Sequence, residues 1–333
     1  MKKNIIILLI SSALVNLFYA CDDTEIFDKE MYKNLVYIVS DEKGIFPLEC
    51  NMDTNDSIVS FSIACGGSKH FLEDITVSFV HDSTLFNRYN YAHFDIDSSK
   101  YIQHLSADKF RIPSYSTVLR KDADVSYSAV PIIIHPEDLY GLSPDSMYVI
   151  DLKISNISNY ELNEDKSRVL CRVYFENKYA RMKKPVNYSS KLYLEKEGES
   201  EKSYSVVKNP LPLTKNAIRM YVGTIQQPPE EKYFTPRFVN RHSIRVTVNK
   251  DNSLNISAYD ETNEWLEVEM LTPPSDDSLF RYTNEYEEGY DQLTGLPAFK
   301  MYYKYRIKGD DGRWDSWHTV KEILLRLKDP AEK

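Results

Sequence analysis

Apolar and polar residues alternate with period two along most of this chain, the signature of strands with one buried face. Residues 58–65 put Val59, Phe61, Ile63 and Cys65 on one side, and Ile75, Val77 and Phe79 alternate with Thr76 and Ser78. The same pattern predicts strands at 36–39, 46–50, 126–134, 148–157 and 168–175. In the last of these, Val169, Cys171, Val173 and Phe175 oppose Arg168, Arg172 and Tyr174. One helical pattern interrupts the series. Leu85, Phe86 and Tyr89 fall at helical spacing behind a cap at Asp82 or Ser83, and the helix is expected to end near Asn90. A loop-rich stretch follows at 91–115. Seven or so short strands punctuated by turns predict a β-sandwich for this first half.

The second half is also β-rich. Strands are expected at 188–194, 203–207 and 217–222. Ile244, Val246 and Val248 then pair across the turn Lys250-Asp251-Asn252-Ser253 with Leu254, Ile256 and Ala258. Leu266, Val268 and Met270 face one way, and Trp265, Glu267 and Glu269 the other. Phe299, Met301, Tyr303, Tyr305 and Ile307 share a face opposite Lys300, Tyr302, Lys304 and Arg306. Gly309-Asp310-Asp311-Gly312 turns the chain into a last strand running to about 327, with Trp317, Ile323, Leu325 and Leu327 assigned to its core face. Consecutive hairpins of this kind predict an antiparallel β-meander that could close as a lipocalin-like barrel. Residues 178–185, basic and ending in Pro185, are the expected connection between the halves, either a linker or a solvated loop.

The start of the chain differs from the rest. Lys2 and Lys3 precede an apolar run at 5–18 interrupted only by Ser11, Ser12 and Asn16, and Ala20 stands before Cys21. This is the layout of a secretory signal peptide, too short to span a bilayer, which needs about 20 residues. A cysteine just after the cleavage site resembles a bacterial lipobox, which implies that Cys21 is the lipidated first residue of the mature chain. The alternative is an ordinary signal peptide followed by a cysteine without a role. Asp22-Asp23 resembles the surface-export signal of Bacteroidetes lipoproteins. The expected organisation is a signal peptide at 1–20, a tether at 21–35, a first domain at 36–178 and a second at 188–328. The expected location is the cell-surface side of the outer membrane, held by the lipid anchor.

Composition narrows the picture further. A net charge of −9 argues against a nucleic-acid partner. Of the 4 cysteines, Cys50, Cys65 and Cys171 remain once Cys21 is lipidated, and alternation turns all three toward the core. They are read as buried thiols rather than as a Cys50–Cys65 bridge.

Ile75-Thr76-Val77-Ser78-Phe79-Val80-His81-Asp82-Ser83, leading to Tyr89-Asn90, resembles the N-terminal module of Bacteroides lipoproteins known as domain of unknown function 1735. Tyr101-Ile102-Gln103-His104-Leu105 and Tyr160-Glu161-Leu162-Asn163-Glu164 also match it, as does the block at 148–157. The resemblance covers residues 24–178 and implies an immunoglobulin-like sandwich. Residues 213–223, 244–256 and 299–306, followed by Trp314, make 188–327 similar to the family called domain of unknown function 4361. Proteins with this pair of modules accompany SusC/SusD-like transporters and glycoside hydrolases. The resemblance therefore implies a non-catalytic, glycan-binding lipoprotein of a polysaccharide-utilisation system. Two other functions fit the same chain, a structural or adhesive surface protein and a hydrolase of unrecognised type.

The sequence has no Gly-x-Ser-x-Gly, no His-Glu-x-x-His and no Gly-rich phosphate loop. Asp95-Ile96-Asp97 begins like a calcium loop but has Lys100 where the turn glycine belongs. No metal and no cofactor is expected. Glu285, Glu287, Glu288 and Asp291 could supply paired carboxylates for glycoside hydrolysis. For sugar binding, an aromatic ring must sit beside polar side chains, because sugar C–H faces lie on rings while hydroxyls need partners. Trp265, beside Glu267 and Glu269, and Trp314, near the 309–312 turn, meet that requirement. Tyr302 and Tyr286 are weaker companions.

Overall fold

The computed structural model describes residues 32–227, 235–262, 264–277 and 279–328. Cys21 and the segment before it lie outside the described residues. The fold is all-β, as the alternation predicts. The first half builds one sheet from β1 (Leu35–Ile38), β3 (Ser57–Gly66), β7 (Tyr127–Ile134) and β9 (Glu161–Leu162), in the order β7-β3-β1-β9. The second sheet holds β2 (Ile45–Asn51), β10 (Arg168–Glu176), β8 (Tyr148–Ile157), β4 (Ile75–Val80) and β6 (Ser116–Leu119), in that order, with β5 (Gln103–His104) paired to β8.

The two sheets bury their alternate residues against each other. Val36, Ile38, Phe61, Ile63, Val130 and Ile132 come from one, and Leu48, Ile75, Val77, Ile150, Val169 and Val173 from the other. Each such side chain contributes about 1.5–3 kcal/mol when fully buried. Phe61 and Phe79 meet edge to face across the layer, with ring centroids 5.6 Å apart. Cys50, Cys65 and Cys171 are buried free thiols in this core. Helix α1 (Thr84–Phe94) follows β4, and Asp82 Oδ1 accepts a hydrogen bond from the Thr84 amide at 3.1 Å. The helix runs past Asn90 to Phe94, stopping where Asp95 takes φ 51°. Asn90 does not break it because its side chain turns inward and accepts from the Ile102 amide at 2.9 Å.

The second half also forms two sheets. One contains β12 (Lys202–Lys208), β11 (Tyr188–Lys196), β20 (His318–Arg326), β19 (Ala298–Ile307) and β17 (Leu266–Met270), in that order, with β18 (Glu285–Glu287) beside β19. The other is β13 (Leu211–Thr214), β14 (Ala217–Tyr221), β15 (Ser243–Val248) and β16 (Leu254–Ala258). The meander does not close into one barrel ladder. Among the described residues no pairing joins β12 to β13 or β16 to β17, and Pro210, which has no N–H, stands at the first of these breaks. Tyr188, Phe299, Met301, Tyr303, Val320 and Leu324 pack against Ile218, Met220, Ile244, Val246 and Ile256.

One face assignment is corrected. On β20 the buried residues are Val320, Glu322 and Leu324, so Ile323 and Leu325 point outward. The run Ile323-Leu324-Leu325 is apolar on both faces, and the residue that marks the true inward parity is a carboxylate. Glu322 is buried because Ser190 Oγ donates to it at 2.6 Å and Lys208 Nζ lies 2.7 Å away. Burial of such a charge requires partners of this kind.

The connection between the halves keeps Lys178, Lys183, Lys184 and Pro185 exposed, as a solvated loop would, but is packed around residues 177–180. Tyr179 and Ala180 are buried in the second core. Asn177, itself buried, donates its side-chain amide to the Thr214 and Ala217 carbonyls at 2.7 and 3.1 Å. Its Oδ1 accepts from the amides of Tyr179 and Ala180 at 3.0 and 2.8 Å. Nearby, the Arg219 guanidinium of β14 makes a two-pronged ion pair with Asp145 of the first half, one prong at 2.7 Å.

Candidate functional site

The site begins with the parity of β19. Tyr303 and Tyr305 point into the core, so Lys304 and Arg306 stand outward, facing Glu269 and Glu267 on β17 at 2.8 and 2.6 Å. Beyond Ile307 the chain turns through 309–312, where Gly312 has φ 77°, and folds back so that Trp314 bridges to Lys308. This return lays two indole rings over a row of cations. Arg306 lies between them, its guanidinium 4.9 Å from the Trp314 ring centre and 4.7 Å from that of Trp317. Lys304 sits 4.3 Å from Trp317, and Lys308 is 5.7 Å from Trp314. Cation–π contacts of this geometry are worth about 0.5–2 kcal/mol each.

A second element completes the cluster. Helix α2 (Pro236–His242) starts with Thr235 Oγ1 accepting from the Phe238 amide at 3.1 Å and with proline in its first turn. Arg237 and Arg241, four apart, leave the helix on one side. Their guanidiniums lie 4.4 and 4.8 Å from the Trp265 ring centre, and both donate to Asp310, at 2.8 and 2.5 Å. The Arg241 guanidinium, with Arg237 behind it, holds the Asp310 carboxyl below the usual carboxylate range. Burial, reinforced by Arg241, pushes the neighbouring His242 imidazole down.

All 3 tryptophans of the chain thus converge at one end of the second half. A depression of about 340 Å³ opens there, lined by Arg241, His242, Lys308, Asp311, Arg313, Trp314 and Asp315. Aromatic surface, forked donors and carboxylates in one hollow suit a ligand with many hydroxyls.

Of the residues singled out from sequence, Trp265 and Trp314 come together, both half-buried. Trp317, assigned to the core, joins them instead, half-buried on the outward side. Tyr302 is on the outward face of β19 but packs with Phe280, ring centres 5.1 Å apart, away from the tryptophans. Tyr286 is corrected. It is 2% exposed, sealed between Tyr179 and Phe299, and offers no ring to a ligand. Its strand is short, and only the pairing with β19 fixes which way it points. The nearby carboxylates Glu285 and Glu287 both hold Lys300 at 3.0 Å, while Glu288 pairs with Lys178. Sequence reasoning passed over Arg237 and Arg241, although Thr235-Pro236 carries a helix-start signature that could have placed them. It also passed over a larger depression, of about 630 Å³, on the first half.

Residues 29–161 match the family model of an N-terminal domain, and residues 167–324 match that of a C-terminal domain. The chain joins two such domains. The second match begins just before β10, the strand that completes the first sandwich. No curated protein matches the sequence. Among solved structures, a protein of unknown function from Bacteroides ovatus is similar, at 14% identity and TM-score 0.58, over 90% of this chain and 99% of the other. A multidomain protein from the same species that includes domain of unknown function 1735 is similar over 87% of this chain and 94% of the other, at 14% identity and TM-score 0.57. An auxiliary nutrient binding protein from Bacteroides thetaiotaomicron is similar at 16% identity and TM-score 0.55, over 86% of this chain and 94% of the other. At these identities the likeness is one of fold.

Proposed function

We propose that this protein is a non-catalytic surface lipoprotein that binds glycans at the tryptophan-bearing end of its second domain, alongside SusC/SusD-like transport proteins. The observation that carries the reading is a hollow lined by Trp314, Arg241, Asp311 and Asp315, beside which Trp265 stacks with Arg237 and Arg241 and Trp317 with Arg306. The nutrient-binding description of one structural neighbour agrees with it. Arg237, whose side chain is 54% exposed, is the cover that a sugar ring displaces from Trp265, whereas Arg241, 16% exposed, stays in place.

The test is a glycan array followed by calorimetry on the oligosaccharide retained. Trp265→Ala and Trp314→Ala are each expected to weaken binding by about 1–3 kcal/mol, the range for exposed stacking rings. Unchanged affinity in both variants, with circular dichroism intact, moves the site elsewhere. Retention of no glycan favours an adhesive role, and release of reducing sugar would make the protein a hydrolase.

A further inference from the structure

The larger depression lies on the outward face of the β7-β3-β1 sheet. Its floor is the middle strand β3, whose outward residues in this stretch are the small Ser62, Ala64 and Gly66. Register puts Tyr37 of β1 and Tyr127 of β7 directly opposite Ala64, one on each side. Two strand spacings place those tyrosine backbones about 9–10 Å apart, wider than the contact distance of an aromatic pair. The rings thus form two walls over a small-residue floor. The Tyr37 ring lies against Gly66, where a Cβ would be 3.4 Å from it. Tyr127 is 54% exposed, while Ala64, on the same outward row, is 8% exposed. Volume adds to this, since about 630 Å³ is ample for one or two sugar rings.

Charge and strand pairing select the ligand. None of the residues lining the cleft is acidic, although the chain carries a net charge of −9. Lys69 supplies a cation to the lining, with His70 next to it in sequence, while Ser62 and Ser126 offer hydroxyls. An extended peptide docks by adding to a sheet edge, whereas β3 is a central strand whose backbone is already paired on both sides by β1 and β7. A flat ring with one apolar face, several hydroxyls and one negative charge meets every wall of the cleft.

We propose that this cleft is a second carbohydrate site, which takes a pyranose bearing a carboxylate, a uronic acid unit within a glycan chain. The proposal rests on the glycan-binding reading of the protein but not on the tryptophan end. The experiment is titration calorimetry on the full chain with tetragalacturonate and tetramannuronate, and with maltotetraose as the neutral probe. An acidic tetrasaccharide is expected to bind, and Tyr127→Ala to weaken it about tenfold, as loss of one stacking ring should. Lys69→Met should erase the preference for the acidic over the neutral probe. Trp265→Ala and Trp314→Ala should leave acidic-probe affinity within about twofold. Failure of both acidic probes to bind overturns the proposal, as does unchanged affinity in Tyr37→Ala and Tyr127→Ala together. If the tryptophan variants alone lose acidic-probe binding, the tryptophan end stands as the glycan site and the cleft does not.

Discussion

Single residues show how far alternation can be trusted. It turned Cys50, Cys65 and Cys171 inward correctly, and burial pushes the Cys50 and Cys65 thiols up to about 11; burial pushes Cys171 up as well. The reactive species is the thiolate. Iodoacetamide at pH 8 should therefore leave all three unmodified in the native protein and label all three in denaturant. Labelling of native Cys65, which borders the tyrosine cleft, would show that its cover opens. Alternation failed at Glu322, whose carboxylate is held inside by Ser190 and Lys208 from two other strands. A partner more than a hundred residues away leaves no trace in a local pattern, so β20 was read with the wrong face inward and Trp317 with it.

At the scale of elements, strands and the local hairpin across residues 250–253 are legible, and distant partners are not. The contacts that build the two candidate sites, Tyr37 with Tyr127 across Ala64 and α2 against Trp265, join segments distant in sequence. The same holds for the ion pair between the loop before β8 and strand β14. Arg219 is 3% exposed and Asp145 is 19% exposed, so the two halves of that pair are not equivalent. Removing the acid strands a buried guanidinium beneath the Tyr259 ring, whereas removing the base leaves a carboxylate that water can reach. Asp145→Ala should therefore destabilise the protein by about 3–5 kcal/mol, the usual cost of breaking a buried pair, and Arg219→Met by less. Denaturant melts of the two variants check the order, and the reverse order would mean that desolvation does not govern this contact.

Across the whole molecule, the all-β character could be read from the sequence, as could the outward face of Trp265 but not that of Trp317. Barrel closure could not, because it depends on whether distant edges meet. Membrane attachment is a separate matter. No helix among the described residues is long and apolar enough to cross a membrane, and several acyl chains on one cysteine hold far more firmly than one. Cys21→Ala should yield unprocessed or soluble protein, whereas a variant that is processed and still sediments with outer membranes would rule out the lipid anchor. The gathering of every tryptophan at one end has a further, optical consequence. Excitation at the red edge of the protein absorption band sees the second domain alone, and the sandwich is dark to it. Far-ultraviolet dichroism, by contrast, reports both domains together. Where the two curves separate along a denaturation, one core melts without the other, and the junction held by Asn177 and Arg219 does not couple the two domains into one cooperative unit.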